Sequence, residues 1–225
     1  MKSIFKASLI LIVNLLIISR SFSQVPDNKV RLGFGILVGK QNIFPFNSPN
    51  YSHSQIGYRL KFNYVLRSEK FSYELQIEPS VYVAEHQMLN PYFIMPSDGS
   101  DYLQQRAYYM QKRQIIDCAL NIGLMTRYNF NEIWSTYFLF STGPTWLFEE
   151  TERQAAGFAF SNVLSIGAAY NTGRLRFEFG PGVRHVSNAN THRPNGGHNS
   201  STLDFGVTYS LHKNKAPRKQ IAETT

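Results

Sequence analysis

The feature that most constrains this chain is a two-residue alternation of apolar and polar side chains, repeated about eight times. In Val30–Val38 the even positions Val30, Leu32, Phe34, Ile36 and Val38 are apolar. In Ile56–Leu66 the even positions are again apolar or aromatic, and Arg59, Lys61 and Asn63 stand between them. In Phe71–Val83 the odd set Phe71, Tyr73, Leu75, Ile77, Val81 and Val83 faces Glu74, Gln76 and Glu78. Ile116–Phe130, Trp134–Trp146, Phe158–Tyr170, Leu175–Phe179 and Leu203–Leu211 continue the pattern, the Trp134–Trp146 stretch less cleanly. Successive side chains of a strand point to opposite faces, so each stretch reads as a two-faced β-strand.

The two faces differ in chemistry. One carries mostly aliphatic and aromatic residues. The other mixes glycine with Arg59, Lys61, Glu74, Glu78, Asp117, Arg127, Arg176, Glu178 and Asp204. Opposite charges of this kind can pair inside a narrow barrel, while the apolar face suits lipid. Most stretches also reach the roughly 9–11 tilted residues that cross a bilayer. The fold expected is all-β, an eight-stranded antiparallel transmembrane β-barrel. A soluble β-sandwich or lipocalin-like barrel that binds a ligand also alternates, with its apolar face turned inward. The connections favour the membrane barrel. Arg67–Lys70, Asn129–Glu132 and Asn171–Gly173 are short, and they alternate with longer loops at Gly39–Gln55, Ala84–Gln114, Leu147–Ala156 and Asn188–Ser200. Short periplasmic turns and long external loops are the habit of outer-membrane barrels. Tyr108, Tyr109 and Trp146 are candidates for an interfacial aromatic belt, the two tyrosines alternatively for packing inside their long loop.

The chain start agrees with that compartment. Lys2 and Lys6 precede an apolar core, Ala7–Ser19, and Ser21 and Ser23 supply small residues for cleavage before Gln24. The core is too short for a membrane-spanning helix. The expected organisation is a signal peptide over 1–23, a barrel over 24–212 and a disordered polar tail over 213–225. Removing Lys2, Lys6 and Arg20 takes the formal charge from +8 to +5, because no acid precedes Asp27. In a secreted chain this excess points to an anionic surface and not to nucleic acid. Cys118 is the only cysteine, so no internal disulfide forms.

Chemistry concentrates in Arg184–Asn199, Arg-His-Val-Ser-Asn-Ala-Asn-Thr-His-Arg-Pro-Asn-Gly-Gly-His-Asn. A strand running to Ser187 puts His185 and Ser187 on one face, the minimal pair for an activated hydroxyl nucleophile. Pro79, Pro144 and Pro181 each remove a ladder N–H. Gly180-Pro181-Gly182 is expected to form a bulge, which would shift the parity between Phe179 and His185. Asn188, with backbone N–H groups of the following loop, is a candidate oxyanion donor or else the start of an Asx-type turn. His185, His192 and His198 match no structural zinc spacing and read as loop histidines. No phosphate-binding loop is present. No cofactor and no metal are expected.

The run His185-Val-Ser187-Asn188-Ala189, followed by Pro194-Asn195 and Gly197, resembles the outer-membrane lipid A 3-O-deacylases, the PagL-like family. The strand pattern extends that resemblance over most of the chain, but the specific motif is confined to 184–199. It implies an esterase acting on lipid A or a similar envelope lipid, monomeric, in the outer membrane of a Gram-negative-type bacterium, with its site near the external leaflet. It assigns Ser187 as nucleophile and His185 as base, with Asn188, Ala189, Asn195 and Gly197 around the oxyanion and substrate. The family's orienting glutamate falls on Asn199. An asparagine can orient the ring but supplies no charge, which implies a slower deacylase, a different ester or an inactive relative. The competing reading is a non-enzymatic small barrel serving adhesion or envelope stability.

Overall fold

The computed structural model describes residues 29–211. The signal-peptide and tail assignments, 1–23 and 213–225, lie outside the described residues. Eight antiparallel strands, β1 Val30–Lys40, β2 Tyr51–Arg67, β3 Phe71–Met88, β4 Arg113–Asn129, β5 Trp134–Leu147, β6 Gly157–Thr172, β7 Leu175–Ser187 and β8 His198–Ser210, form a meander. β1 also pairs with β8, which closes the sheet into a barrel. Closure matters because it leaves no open edge of unpaired N–H and C=O groups, the condition for a sheet to sit in lipid.

The alternation sorts as the sequence requires. Phe34, Ile36, Ile56, Phe62, Leu124, Phe140, Ile166, Phe179 and Phe205 all point outward. Arg59, Lys61, Glu74, Glu78, Asp117, Arg127, Glu178 and Asp204 are buried in the lumen. There they pair. Lys61 reaches Glu178 at 2.7 Å, Arg127 reaches Glu178 at 2.8 Å and Glu74 at 3.3 Å, and Arg176 reaches Glu74 at 2.6 Å. Arg59 bridges Glu78 and Asp204. Arg184 pairs with Asp117 at 2.5 Å. The ion-paired set comprises five cations (Arg59, Lys61, Arg127, Arg176, Arg184) and five carboxylates (Glu74, Glu78, Asp117, Glu178, Asp204), so it is balanced, while Arg31 beside it donates to Thr208 Oγ1 and the Arg174 carbonyl. That balance permits burial, since an unpaired charge in such a place costs several kcal/mol. Amides, hydroxyls and the tyrosines Tyr82 and Tyr137 share the remaining lumen. Tyr82 occupies the space left by Gly57, its partner across β2–β3, where a Cβ would meet the ring, and the Arg184 guanidinium lies 3.5 Å from the ring centroid.

The three strand prolines interrupt the ladder on one side only. Pro79 pairs with Leu120, Pro144 with Phe160 and Pro181 with Leu203. On the opposite neighbour the pairing skips and resumes in the same register. The bulge expected at Gly180-Pro181-Gly182 is therefore absent. Both partners of β7 keep one register along it, and the outward face of Phe179 continues unbroken to Pro181, Val183, His185 and Ser187. A single missing N–H needs no extra residue when the ladder on the other side holds.

Three long connections are shorter than the sequence suggested, because the strands run past the bilayer. The first connection spans 41–50, the second 89–112 and the last 188–197. The second is not featureless. It holds a helix, α1 Tyr102–Tyr109, preceded by two single-turn 3-10 segments, Pro91–Phe93 and Pro96–Asp98. Tyr108 and Tyr109 pack within that region: Tyr109 donates to Glu150 at 2.8 Å, and Arg113 sits 4.1 Å over Tyr108. Trp146 points outward from β5. At the opposite end the Thr172–Leu175 turn is a two-residue hairpin, with Gly173 in the left-handed conformation (φ 56°) that such turns require.

Candidate active site

The site stands where β7 ends. His185 lies directly across from Asn199 of β8 and from Asn162 of β6, and Ser187 lies across from Phe160. All share the outward face, because parity is unbroken. The loop boundary drawn at Ser200 is corrected here: β8 begins at His198, so Asn199 is a strand residue fixed by the ladder, not a loop residue. Its backbone N–H also reaches the Tyr51 hydroxyl at 3.4 Å.

The three side chains form a relay. His185 Nε2 is 2.9 Å from Ser187 Oγ, and His185 Nδ1 is 2.7 Å from Asn199 Oδ1. An amide oxygen only accepts, so Nδ1 carries the proton and Nε2 presents its lone pair to the serine hydroxyl. This is the tautomer a general base needs. All three residues are partly exposed on the wall, whereas Arg184 and Val186, on either side of His185, turn into the lumen and are buried.

The 188–197 loop is held from inside. Asn188 is fully buried. Its amide donates to the His192 carbonyl at 2.8 Å and accepts from the Asn190 N–H at 3.0 Å, while its own N–H donates to Asn195 Oδ1 at 3.0 Å. That is the Asx-type turn, and it uses up the Asn188 groups a substrate oxyanion would need. Ala189 and Asn190 follow in left-handed conformation, φ 54° and 62°, with Ala189 exposed. Gly197 adopts φ 63° and packs so closely that a Cβ would press on the Val186 carbonyl and touch His185 and Ser187. Only glycine meets both demands, so Gly197 seats the pair.

Sequence reasoning missed Arg153. From the 148–156 connection its guanidinium donates to the Gly197 carbonyl at 3.0 Å and the Gly196 carbonyl at 3.1 Å, and its own carbonyl accepts from the Gly197 N–H at 3.2 Å. It clasps the loop that carries the site and lies 4.5 Å over the Tyr51 ring. No local pattern marks it, because the partners are about 44 residues away. Asn162 was missed as well. It accepts from the Thr142 hydroxyl at 2.7 Å and extends a polar strip sideways from His185 across an apolar wall. Two of the three loop histidines part company: His192 is exposed, and His198 is buried and points into the lumen.

A closed, charge-filled barrel with an apolar outer wall defines an outer-membrane protein, and a serine-histidine pair stands on that wall. The family model for lipid A 3-O-deacylase (PagL) matches residues 56–208, all eight strands but the first falling within or overlapping that span, and the chain belongs to that family. It is accordingly a lipid A deacylase of the outer membrane, a carboxylic ester hydrolase. Among solved structures, the outer-membrane enzyme PagL is similar at 11% identity and TM-score 0.48, covering 78% of this chain and 97% of that one. Neisserial surface protein A is similar at 12% identity and TM-score 0.44, covering 81% and 97%. A de novo designed transmembrane β-barrel is similar at 10% identity and TM-score 0.36, covering 82% and 97%. No curated protein matches the chain.

Proposed function

We propose that the chain removes an ester-linked acyl chain from lipid A by a serine-histidine mechanism, with Ser187 as nucleophile, His185 as general base and Asn199 holding the imidazole. The observation that carries this reading is the relay itself, 2.9 Å from Ser187 Oγ to His185 Nε2 and 2.7 Å from Nδ1 to Asn199 Oδ1. As Oγ attacks the ester carbonyl, its proton passes to Nε2. The tetrahedral intermediate collapses, Nε2 returns the proton to the departing sugar hydroxyl, and the acyl group stays on Ser187. Water then repeats the sequence and frees the fatty acid. Asn199 keeps the Nδ1–H in place but adds no negative charge to the imidazolium that forms. Of the loop residues, the exposed Ala189 N–H at the first corner of the turn is the oxyanion donor in this reading, since the Asn188 and Gly197 N–H groups already have partners.

The site opens sideways. An acyl chain already lying in the bilayer reaches Ser187 along the apolar wall without leaving lipid, and the glycan headgroup meets the polar strip of Asn199, His185 and Asn162. The longer connections share the site's end of the barrel, which supports an external-leaflet location. The closed barrel exposes no strand edge, which supports a monomer. The test is mass spectrometry of lipid A from cells making the wild-type protein or Ser187→Ala. Loss of one ester-linked acyl chain with wild type and none with the variant is expected. Equal lipid A profiles from the two would overturn the nucleophile assignment.

A further inference from the structure

Behind the catalytic wall, inside the lumen, lies a cluster that the deacylation chemistry does not use. His53 on β2, His86 on β3 and His198 on β8 are all buried, and each offers one ring nitrogen, these nitrogens lying within 4.8 Å of one another. His53 and His86 face each other across the β2–β3 ladder, Nδ1 to Nδ1 at 3.3 Å. A tetrahedral zinc site with Zn–N bonds of about 2.0–2.1 Å has ligand-to-ligand edges of roughly 3.3 Å, so this pair already stands at coordination spacing. His198 has to close by no more than about an ångström and a half to join them.

The surroundings fit an ion. Glu152 Oε2 lies 2.9 Å from His86 Nε2, so the carboxylate takes the Nε2–H and leaves the Nδ1 lone pair facing His53. A carboxylate that orients a ligating histidine by its far nitrogen is the usual outer support of such a site. Thr151 Oγ1 stands 3.0 Å from His198 Nε2 and holds that ring in place. Both supports come from the 148–156 connection, which dips into the barrel mouth; Thr151 and Glu152 are buried there. Two cations stand near, Arg153 and Arg184; Arg184 is matched by Asp117, and the buried Glu152 carboxylate lies against His86. A cavity of about 10 Å³ lined by His53, His198, Gln55 and Asp117 adjoins the rings, room for roughly one water as a fourth ligand.

We propose that His53, His86 and His198 bind one divalent transition-metal ion of the zinc type, which staples β2, β3 and β8 together at the mouth of the barrel. Imidazole ligands select borderline metals over calcium or magnesium. The ion takes no part in ester cleavage, since the serine-histidine pair faces the other side of the wall. Its place is structural: His198 immediately precedes Asn199, so fixing one fixes the strand that presents the other.

The test uses the tag-free chain folded in detergent and stripped with a chelator, then titrated with zinc chloride or cobalt chloride. One ion per chain, competing with a chromophoric chelator at micromolar affinity or better, and the visible absorption of a tetrahedral cobalt site are expected. His53→Gln, His86→Gln and His198→Gln should each weaken binding by at least about thirtyfold, and Glu152→Gln by about tenfold, within the range that outer-shell partners command. His192→Gln, on the exposed loop, should leave it unchanged. Heat-modifiable gel mobility reports that each variant is folded. No zinc or cobalt bound by the wild type, or binding that survives His53→Gln and His86→Gln in folded barrels, overturns the proposal. Should those variants not fold, the wild-type stoichiometry and cobalt spectrum alone decide it.

Discussion

The two faces of this barrel solve opposite problems. The lumen packs ten ion-paired charged side chains against one another. The outer wall is apolar nearly everywhere, yet near its rim it carries a polar strip, Thr142, Asn162, His185, Asn199 and Ser187. The charges inside are paired with each other. The polar groups outside are fewer, partly exposed, and leave a hydroxyl aimed at the lipid. In the proposed mechanism, stability and reactivity are thus kept on opposite sides of one sheet, separated by the thickness of a strand. Arg184 and His185 make the point as sequence neighbours: one is locked to Asp117 in the interior, the other is poised on Ser187 outside.

If that separation is real, changes on the two faces should have different readouts. The largest effect belongs to the outer site. Ser187→Ala and His185→Ala should each lower deacylation by about 10³–10⁴-fold, and the double variant should be hardly worse than either, because residues acting as a unit are not additive. Heat-modifiable mobility should be unchanged in all three. A single variant that keeps a tenth of wild-type turnover would break the comparison from the outer side.

Next come the interior pairs. Glu178→Ala leaves Lys61 and Arg127 without their shared carboxylate and should cost about 3–5 kcal/mol of stability in urea unfolding from bilayers or micelles. The deacylation rate per folded molecule should stay near wild type. A rate that fell while stability held would mean the lumen acts on the site, contrary to the division drawn here.

A smaller change sharpens the outer face. Asn199→Glu places a negative charge beside Nδ1, and about 2 kcal/mol off the barrier, near thirtyfold in rate, is the expected gain. Asn199→Ala should move the rate the other way. Were Asn199→Glu to abolish activity in a folded barrel, Asn199 would be doing something other than holding the ring.

The smallest effect lies at the junction of the two faces. Arg153→Ala frees the carbonyls of Gly196 and Gly197 and loosens the seat of His185. A loss of about tenfold in turnover, near 1.4 kcal/mol, with little change in unfolding is expected. Arg153→Lys keeps the charge but not the fork, and should recover only part of it.

Much of this was legible in the residues. The two-residue period marked the strands and sorted Arg59, Glu74, Glu178 and Asp204 from Phe34, Phe140 and Phe205, because which face a side chain takes is a local property of extended backbone. The pairing of His185 with Ser187 followed from the same rule. The boundaries were less legible. His53 and His86 lie on the inward parity of β2 and β3, and His198 on that of β8, but each sits beyond the point where the apolar alternation stops. Outside the hydrocarbon the wall no longer has to be apolar, so the pattern fades while the ladder continues.

What only the tertiary structure decided is which residues of different strands stand level. The register between β7 and β8 places Asn199 opposite His185, and closure of the barrel pairs β8 with β1, one strand from β2, so that three histidines far apart in the chain meet in one lumen. The 148–156 connection folding inward adds Glu152 to one side and Arg153 to the other. Alternation fixes a side chain's face through bonds to its immediate neighbours, while register, shear and loop docking are set by the closing of the whole sheet, for which no short stretch of sequence carries a sign.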